Sequence, residues 1–253
     1  TMMSGFHAFW SIGVLLGSIA TSLFLEKNIS FLNNILIYVA VLLPLNLLFV
    51  IALKEDPKNS EEVKKNIFFM WPTIIFLLIG ICIANALTEG SVDAWGALYM
   101  RDYINVEGFK IGLATISFNI FMVLGRLVGD WFRDKIGIYK LIIILFILTI
   151  LSLVILTFFN SIILSTLGFA LLGIGTSSII PMAYSLAGKI KGIDSGVGIS
   201  IISIAVYGTF MGAPASLGFL ANSYGVNNIF LPMLLIFLIL LIPIVIFKRE
   251  FKL

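Results

Sequence analysis

The sequence predicts an all-α integral membrane protein, a helical bundle of about eight transmembrane helices. Composition is the first observation behind this. Of 253 residues, 60% are hydrophobic and only 11% charged, against about 45–50% and about 25% in soluble domains. The second is that mean hydropathy is +1.13. The third is that the apolar residues come in continuous runs, with polar residues gathered between them. A soluble chain of this size has no interior large enough for so much Leu, Ile and Phe, so the solvent around it must itself be apolar.

A spanning helix needs about 20 mostly apolar residues, because the hydrocarbon core is about 30 Å thick and each residue rises about 1.5 Å. Eight segments qualify. The first, 5–25, closes at Glu26-Lys27-Asn28, and the second, 34–53, closes at the run Lys54 to Asn66. The third, 67–100, ends at Arg101 to Lys110, and the fourth, 111–130, ends in a polar connection from Asp130 to Lys140. The fifth, 138–158, stops at Asn160-Ser161, and the sixth, 162–187, stops at Gly188 to Asp194. The seventh, 196–221, and the eighth, 228–247, are parted by Asn222 to Asn228. Barrel strands are about ten residues long and alternate in polarity, so these continuous runs are helices.

Orientation follows from Lys and Arg in the short loops. With eight alternating spans both termini share one side. That side holds Lys54, Lys58, Lys64, Lys65, Arg126, Arg133, Lys135, Lys140, Lys189, Lys191, Lys248, Arg249 and Lys252. The other side holds only Lys27, Arg101 and Lys110, and thirteen plus three accounts for all 16 basic residues. Both termini are therefore expected in the cytoplasm. The N-terminus, Thr1-Met2-Met3-Ser4-Gly5, lacks the basic region of a signal peptide and reads like a chain cut just before a helix.

Several functions are excluded. A net charge of +3, with no basic patch interleaved with aromatics, does not suit a nucleic-acid partner. One cysteine (Cys82, in an apolar run and read as packing) and one histidine leave no disulfide framework and no metal cluster. No nucleophile–base set supports an enzyme, no Gly-rich phosphate loop supports a nucleotide-driven pump, and no cofactor is implied. His7, near the cytoplasmic end of the first span, either joins a proton pathway or is an interfacial histidine with ordinary hydrogen bonds.

The most hydrophilic stretch, 54–66, divides two helices from six. The expected organisation is 1–53 as two helices of one bundle, 54–66 as a cytoplasmic linker, and 67–253 as a six-helix bundle. Gly13-x-x-x-Gly17 in the first helix echoes Gly208-x-x-x-Gly212 in the seventh. Such spacing offers a flat face for close helix approach, and the six-span offset is what a repeat of six-helix halves requires. Pro181 and Pro214 lack a helix donor and are expected to kink their helices or do no more than bend them.

Two clusters carry the chemistry. In the third helix Asn85, Glu89 and Asp93 are spaced by four and share a face. A carboxylate at mid-membrane costs about 2.5–3.5 kcal/mol on insertion scales, so this stripe is expected to face a water-filled cavity. Measured from Trp71-Pro72, Glu89 falls in the outer half and Asp93 near the outer edge. Glu89 is then a candidate proton or cation site, with Trp95 and Tyr99 beside it to stack on a solute or anchor the interface. Asn119 and Tyr207 join this pathway set, while Ser117, Ser177, Ser178, Tyr184, Ser200 and Ser203 read as inter-helix packing that suits a polar cavity. The second cluster is Gly125-Arg126-Leu127-Val128-Gly129-Asp130-Trp131-Phe132-Arg133-Asp134-Lys135-Ile136-Gly137. Its glycines permit tight packing, and Asp130 can meet Arg126 or Arg133. Gly125, Arg126, Gly129, Asp130 and Arg133 are the candidate gating residues that would hold one arrangement of two helices and release another.

This second cluster resembles the signature loop of the major facilitator superfamily, which lies between the second and third helices of each half. Here it lies between the second and third helices after the linker. Glu89-Gly90, Asp93-Ala94-Trp95 and Tyr99, with the opening Met3-Ser4-Gly5-Phe6-His7-Ala8 and Ser11-x-Gly13, resemble the bacterial fucose-permease and rhizopine-transporter-like branch. The resemblance implies a partial major-facilitator fold, helices five to twelve of twelve, with the first four not represented. It implies a multi-pass protein of the bacterial inner membrane that carries a small solute by alternating access, driven by protons, sodium or the solute's own gradient. The alternative is an inactive or truncated transporter that requires a separate N-terminal piece.

Overall fold

Helix ends in this chain are set where the backbone can leave the helix without orphaning polar groups. The computed structural model describes residues 3–52 and 71–251. The linker 54–66 lies outside the described residues, as do the first residues of the third span and the side chain of His7.

Helix α1 (Met3–Glu26) closes where Asn28 takes a left-handed conformation, φ 55°. The Ile29 amide then donates back to the Phe24 carbonyl at 2.9 Å, the six-to-one bond of a Schellman-type stop. Ser30 caps α2 (Phe31–Ala52), its hydroxyl accepting the Asn33 amide at 3.3 Å. Helix α3 (Thr73–Leu98) starts after Pro72 and continues through a π-helical turn, Tyr99–Tyr103. A 3-10 turn, Gly108–Gly112, leads into α4 (Leu113–Ile136). Helix α5 (Ile138–Phe158) follows after Gly137 alone, φ 85°. The sixth span is two helices, α6 (Ile162–Ser177) and α7 (Ile179–Ala187), parted at Ser178. Asp194 caps α8 (Ser195–Tyr224) by accepting the Gly196 amide at 2.9 Å, and α9 (Phe230–Ile246) ends the bundle.

The described residues thus contain eight spans long and apolar enough to cross a bilayer, as the apolar runs predict. The chain is an all-helical, multi-pass membrane protein. Its loops alternate between the two ends of the bundle. At one end Glu26 meets the 3-10 turn, where its carboxylate accepts the Phe109 amide at 2.7 Å, and the Asn160 amide donates to the Tyr103 carbonyl at 3.2 Å. At the other, Tyr139 lies against Phe251, with ring centroids 6.0 Å apart.

Two expectations change here. The connection from Asp130 to Lys140 is not an extended loop: α4 runs on to Ile136, and a single glycine makes the turn. Helix continues past the apolar run because its charges satisfy one another along the helix, Arg133 reaching Asp130 at 2.6 Å three residues back. The paired glycine motifs also behave differently from expectation. A Cβ built at Gly13, Gly17, Gly208 or Gly212 meets no atom within 4 Å among the described residues. Gly17 instead offers its carbonyl to the Tyr38 hydroxyl of α2, at 2.8 Å.

Close approach is delivered elsewhere. In lipid, apolar surface gains little by leaving the tails for another helix, so small residues and inter-helix hydrogen bonds hold the bundle together. Gly173 of α6 sits directly on the α4 backbone at Phe118 and Met122, and Gly168 and Gly175 of the same helix lie against α5. Ser152 of α5 donates to the Gly168 carbonyl at 2.7 Å. Helix α8 lies on α3, where Gly90 faces Phe210 and Gly218 faces Trp95. Helix α1 runs antiparallel along α4, from Ser22 beside Gly112 to Ser11 beside Arg126. Among the described side chains of α2 none is buried.

Candidate functional site

Asn85 and Glu89 stand one turn apart on α3, and both are buried. The Asn85 amide donates to Glu89 Oε1 at 2.7 Å, and its own Oδ1 has no hydrogen-bond partner. Glu89 Oε2 lies 3.6 Å from a terminal guanidinium nitrogen of Arg126, with side-chain exposures of 9% and 3%. These values put the pair inside protein, so the charges satisfy each other rather than a solvated wall. A lone charge there would be costly, and a pair with further hydrogen bonds is the tolerated form.

Each nitrogen of Arg126 has a partner on a different element. Nε donates to the Ser177 carbonyl at the end of α6, at 3.0 Å, and a terminal nitrogen donates to the Ser11 hydroxyl of α1. The other terminal nitrogen faces Glu89 on α3. Arg126 itself rides on α4, so one side chain ties four elements together. Seven residues on, Arg133 reaches Asp130 at 2.6 Å and Asp134 at 2.8 Å within α4 itself.

The two clusters separated in sequence therefore meet through Arg126. That corrects two placements. Glu89 does not line an open polar wall but lies in a closed contact. It also sits deeper than a count from Trp71-Pro72 suggests, because the span continues through the π turn to Tyr103, putting Glu89 sixteen residues after Thr73 and fourteen before Tyr103.

The remaining candidates divide. Asp93, one turn beyond Glu89, is exposed, as is Tyr207 on α8. Trp95 is half-buried against Gly218, its indole nitrogen without a hydrogen-bond partner. Asn119 is buried and donates to the Thr115 carbonyl of its own helix at 2.8 Å. Tyr99 is wholly buried in an aromatic cluster, with Phe169 and Phe230 edge-on at 5.6 and 5.3 Å. Its hydroxyl donates to the Leu156 carbonyl at 2.8 Å. Such a ring braces α3 against its neighbours and has no free face for a solute. Gly125 and Gly129 face the α6–α7 break: a Cβ on either would strike the side chain of Ser177 or Ser178. Ser178 in turn donates to the Gly125 carbonyl at 3.3 Å.

Ser11 and the Ser177 carbonyl belong to this site but are not chemically conspicuous in sequence. A proline four residues after a serine that faces a membrane arginine is the pattern that would point to the carbonyl.

Comparison with known proteins decides the family. The Major Facilitator Superfamily profile matches residues 78–252. The chain belongs to the Major Facilitator Superfamily. An MFS-type transporter of Yersinia pestis is 28% identical over 222 residues, 87% of this chain and 57% of the relative. The membrane protein MosC of Rhizobium meliloti is 26% identical over 254 residues, 98% of this chain and 60% of the relative. The crystal structure of the E. coli fucose:proton symporter FucP superposes with a TM-score of 0.63 at 18% identity, covering 82% of this chain and 52% of FucP. The chain spans somewhat over half the length of these relatives. The fold is that of the fucose-permease branch, as the sequence resemblance implies, and the superfamily is one of membrane transporters.

Proposed function

We propose that the chain works in secondary transport of a small solute by alternating access, with Glu89 as the coupling carboxylate and Arg126 as its switchable partner. One observation carries this reading: a buried carboxylate–guanidinium pair joins α1, α3, α4 and the α6–α7 break at a single point. When Glu89 is ionised it holds Arg126. When it takes a proton the attraction ends, while Arg126 keeps the Ser177 carbonyl and the Ser11 hydroxyl. Helix α3 thereby loses its charged tie to α1, α4 and the α6–α7 break while keeping its apolar packing, and protonation becomes movement.

Asp93, one turn from Glu89, and Tyr207 on α8, both exposed, are the polar route to the pair in this reading, and Gly125, Gly129, Asp130 and Arg133 form the gate at the end of α4. Both termini are on the cytoplasmic side in this reading, which the excess of basic residues on that side supports. Residues 1–53 and 67–253 form the two units that rock, and the likeness to FucP, a fucose:proton symporter, favours protons over sodium.

The test is uptake in inverted and right-side-out vesicles, using a panel of labelled sugars headed by fucose. Glu89→Gln keeps the shape of the side chain and removes its charge. Gradient-driven uptake is expected to fall by about tenfold or more, equivalent to about 1.4 kcal/mol, with its pH dependence flattened. Unchanged uptake with unchanged pH dependence removes Glu89 from the coupling role. A second reading, in which these helices act only together with further transmembrane helices, is favoured by the open glycine faces of α1 and α8. Uptake that appears only on co-expression with the first four helices of MosC would select it.

A further inference from the structure

The break between α6 and α7 lies where proline chemistry puts it. In an unbroken helix the Ser177 carbonyl would accept the amide of residue 181. Residue 181 is proline, which has no amide hydrogen and whose ring crowds the carbonyl four residues back. The helix accordingly stops at Ser177, and Ser178 takes φ −109° and ψ 0°. Regular bonding resumes with the Met182 amide on the Ser178 carbonyl, at 3.0 Å. A carbonyl left over in this way inside a membrane protein must find another donor.

Its donor is Arg126 Nε, at 3.0 Å. The guanidinium is a rigid planar fork, so fixing Nε fixes where the two terminal nitrogens point. One of them points at Glu89 and the other at Ser11. The surface of α4 is shaped to receive the break. Gly125 and Gly129 flank Arg126 and leave the room that Ser177 and Ser178 occupy. A kink that only bent the helix would need neither the glycines nor the arginine.

We propose that Pro181 is a positioning residue for the charged pair: by lacking an amide hydrogen it reserves the Ser177 carbonyl as the acceptor that aims Arg126 at Glu89. This rests on the reading of Glu89 and Arg126 as the coupling pair and adds the element that sets their geometry.

Pro181→Ala restores an amide at position 181 that competes with Arg126 for the Ser177 carbonyl. The experiment is infrared difference spectroscopy on the protein in lipid nanodiscs at neutral pH, with the Glu89 carboxyl band assigned by its loss in Glu89→Gln. Arg126→Gln shifts that band. Pro181→Ala is expected to shift it in the same direction by at least half as much, and hydrogen exchange at the new amide is expected to be slow. Pro181→Gly carries the same amide without the alanine methyl and is expected to give the same shift, which covers the case of an alanine variant that fails to fold. A band that moves in Arg126→Gln but stays at the wild-type position in both position-181 variants overturns the role of Pro181 and leaves the pair standing. A band that Arg126→Gln does not move overturns both.

Discussion

Arg126 and Arg133 lie two turns apart on one helix and nearly on one face, yet they do opposite things. Arg133 has the shorter ion pair, 2.6 Å to Asp130, but its partner is three residues away in the same helix and both side chains are partly exposed. Arg126 sits farther from its carboxylate, at 3.6 Å, but both groups are enclosed and belong to different helices. Distance therefore ranks these pairs wrongly. In a wet setting the Coulomb gain is small and salt screens it, whereas in a closed one the loss of either partner strands a charge that water cannot reach. Arg133 locally supports the end of α4, while Arg126 decides how four elements sit together.

The sharpest way to break the comparison is to remove each arginine in turn. Arg126→Ala leaves Glu89 enclosed without its cation, and a destabilisation of about 3–5 kcal/mol is expected. It should be visible as a large drop in thermal midpoint in nanodiscs. A change as small as that from Arg133→Ala would mean that the Glu89 site is solvated after all.

A mid-sized effect is expected from the packing that holds α4 to α6. A Cβ at Gly173 would press on the Phe118 carbonyl and the Met122 amide, which are backbone and cannot swing aside. Gly173→Ala should cost about 1–3 kcal/mol, whereas Gly208→Ala, with open space around it, should be close to neutral in the same melting assay. Equal effects would show that the open face of α8 is packed in the membrane.

The smallest effect belongs to Arg133→Ala, about 0–1 kcal/mol and shrinking further as salt is raised. A loss above about 2 kcal/mol, insensitive to salt, would place Arg133 in an enclosed network like that of Arg126.

Much of this molecule was legible before any coordinates. The fifth span, 138–158, coincides with α5, because an uninterrupted apolar run is bounded by Gly137 and by polar Asn160. The glycine and arginine of the signature cluster were recognisable as a unit, and so was the Asn85–Glu89 stripe. That the two meet was not legible, since Glu89 and Arg126 are 37 positions apart and spacing rules act only along one helix. Tyr99 shows the same limit. An aromatic beside a charged stripe suits a solute pathway or a packed core equally well, and only its neighbours Phe169 and Phe230 decide for the core. The polar run after Asp130 misled for a different reason. Hydrophilicity marks where the bilayer ends, whereas a helix ends where its backbone bonds are given up, and here that happens at Gly137.

By itself, then, the sequence determined the solvent and the number of spans, because span length and apolarity are local quantities imposed by the thickness of a bilayer; the superfamily came from the resemblance of the cluster Gly125 to Gly137 to a known signature. Tertiary structure alone decided which carboxylate meets which arginine, that the pair is closed rather than open, and that a proline-freed carbonyl holds it. Those are contacts between distant segments, and their energies depend on what surrounds each charge once the helices have packed.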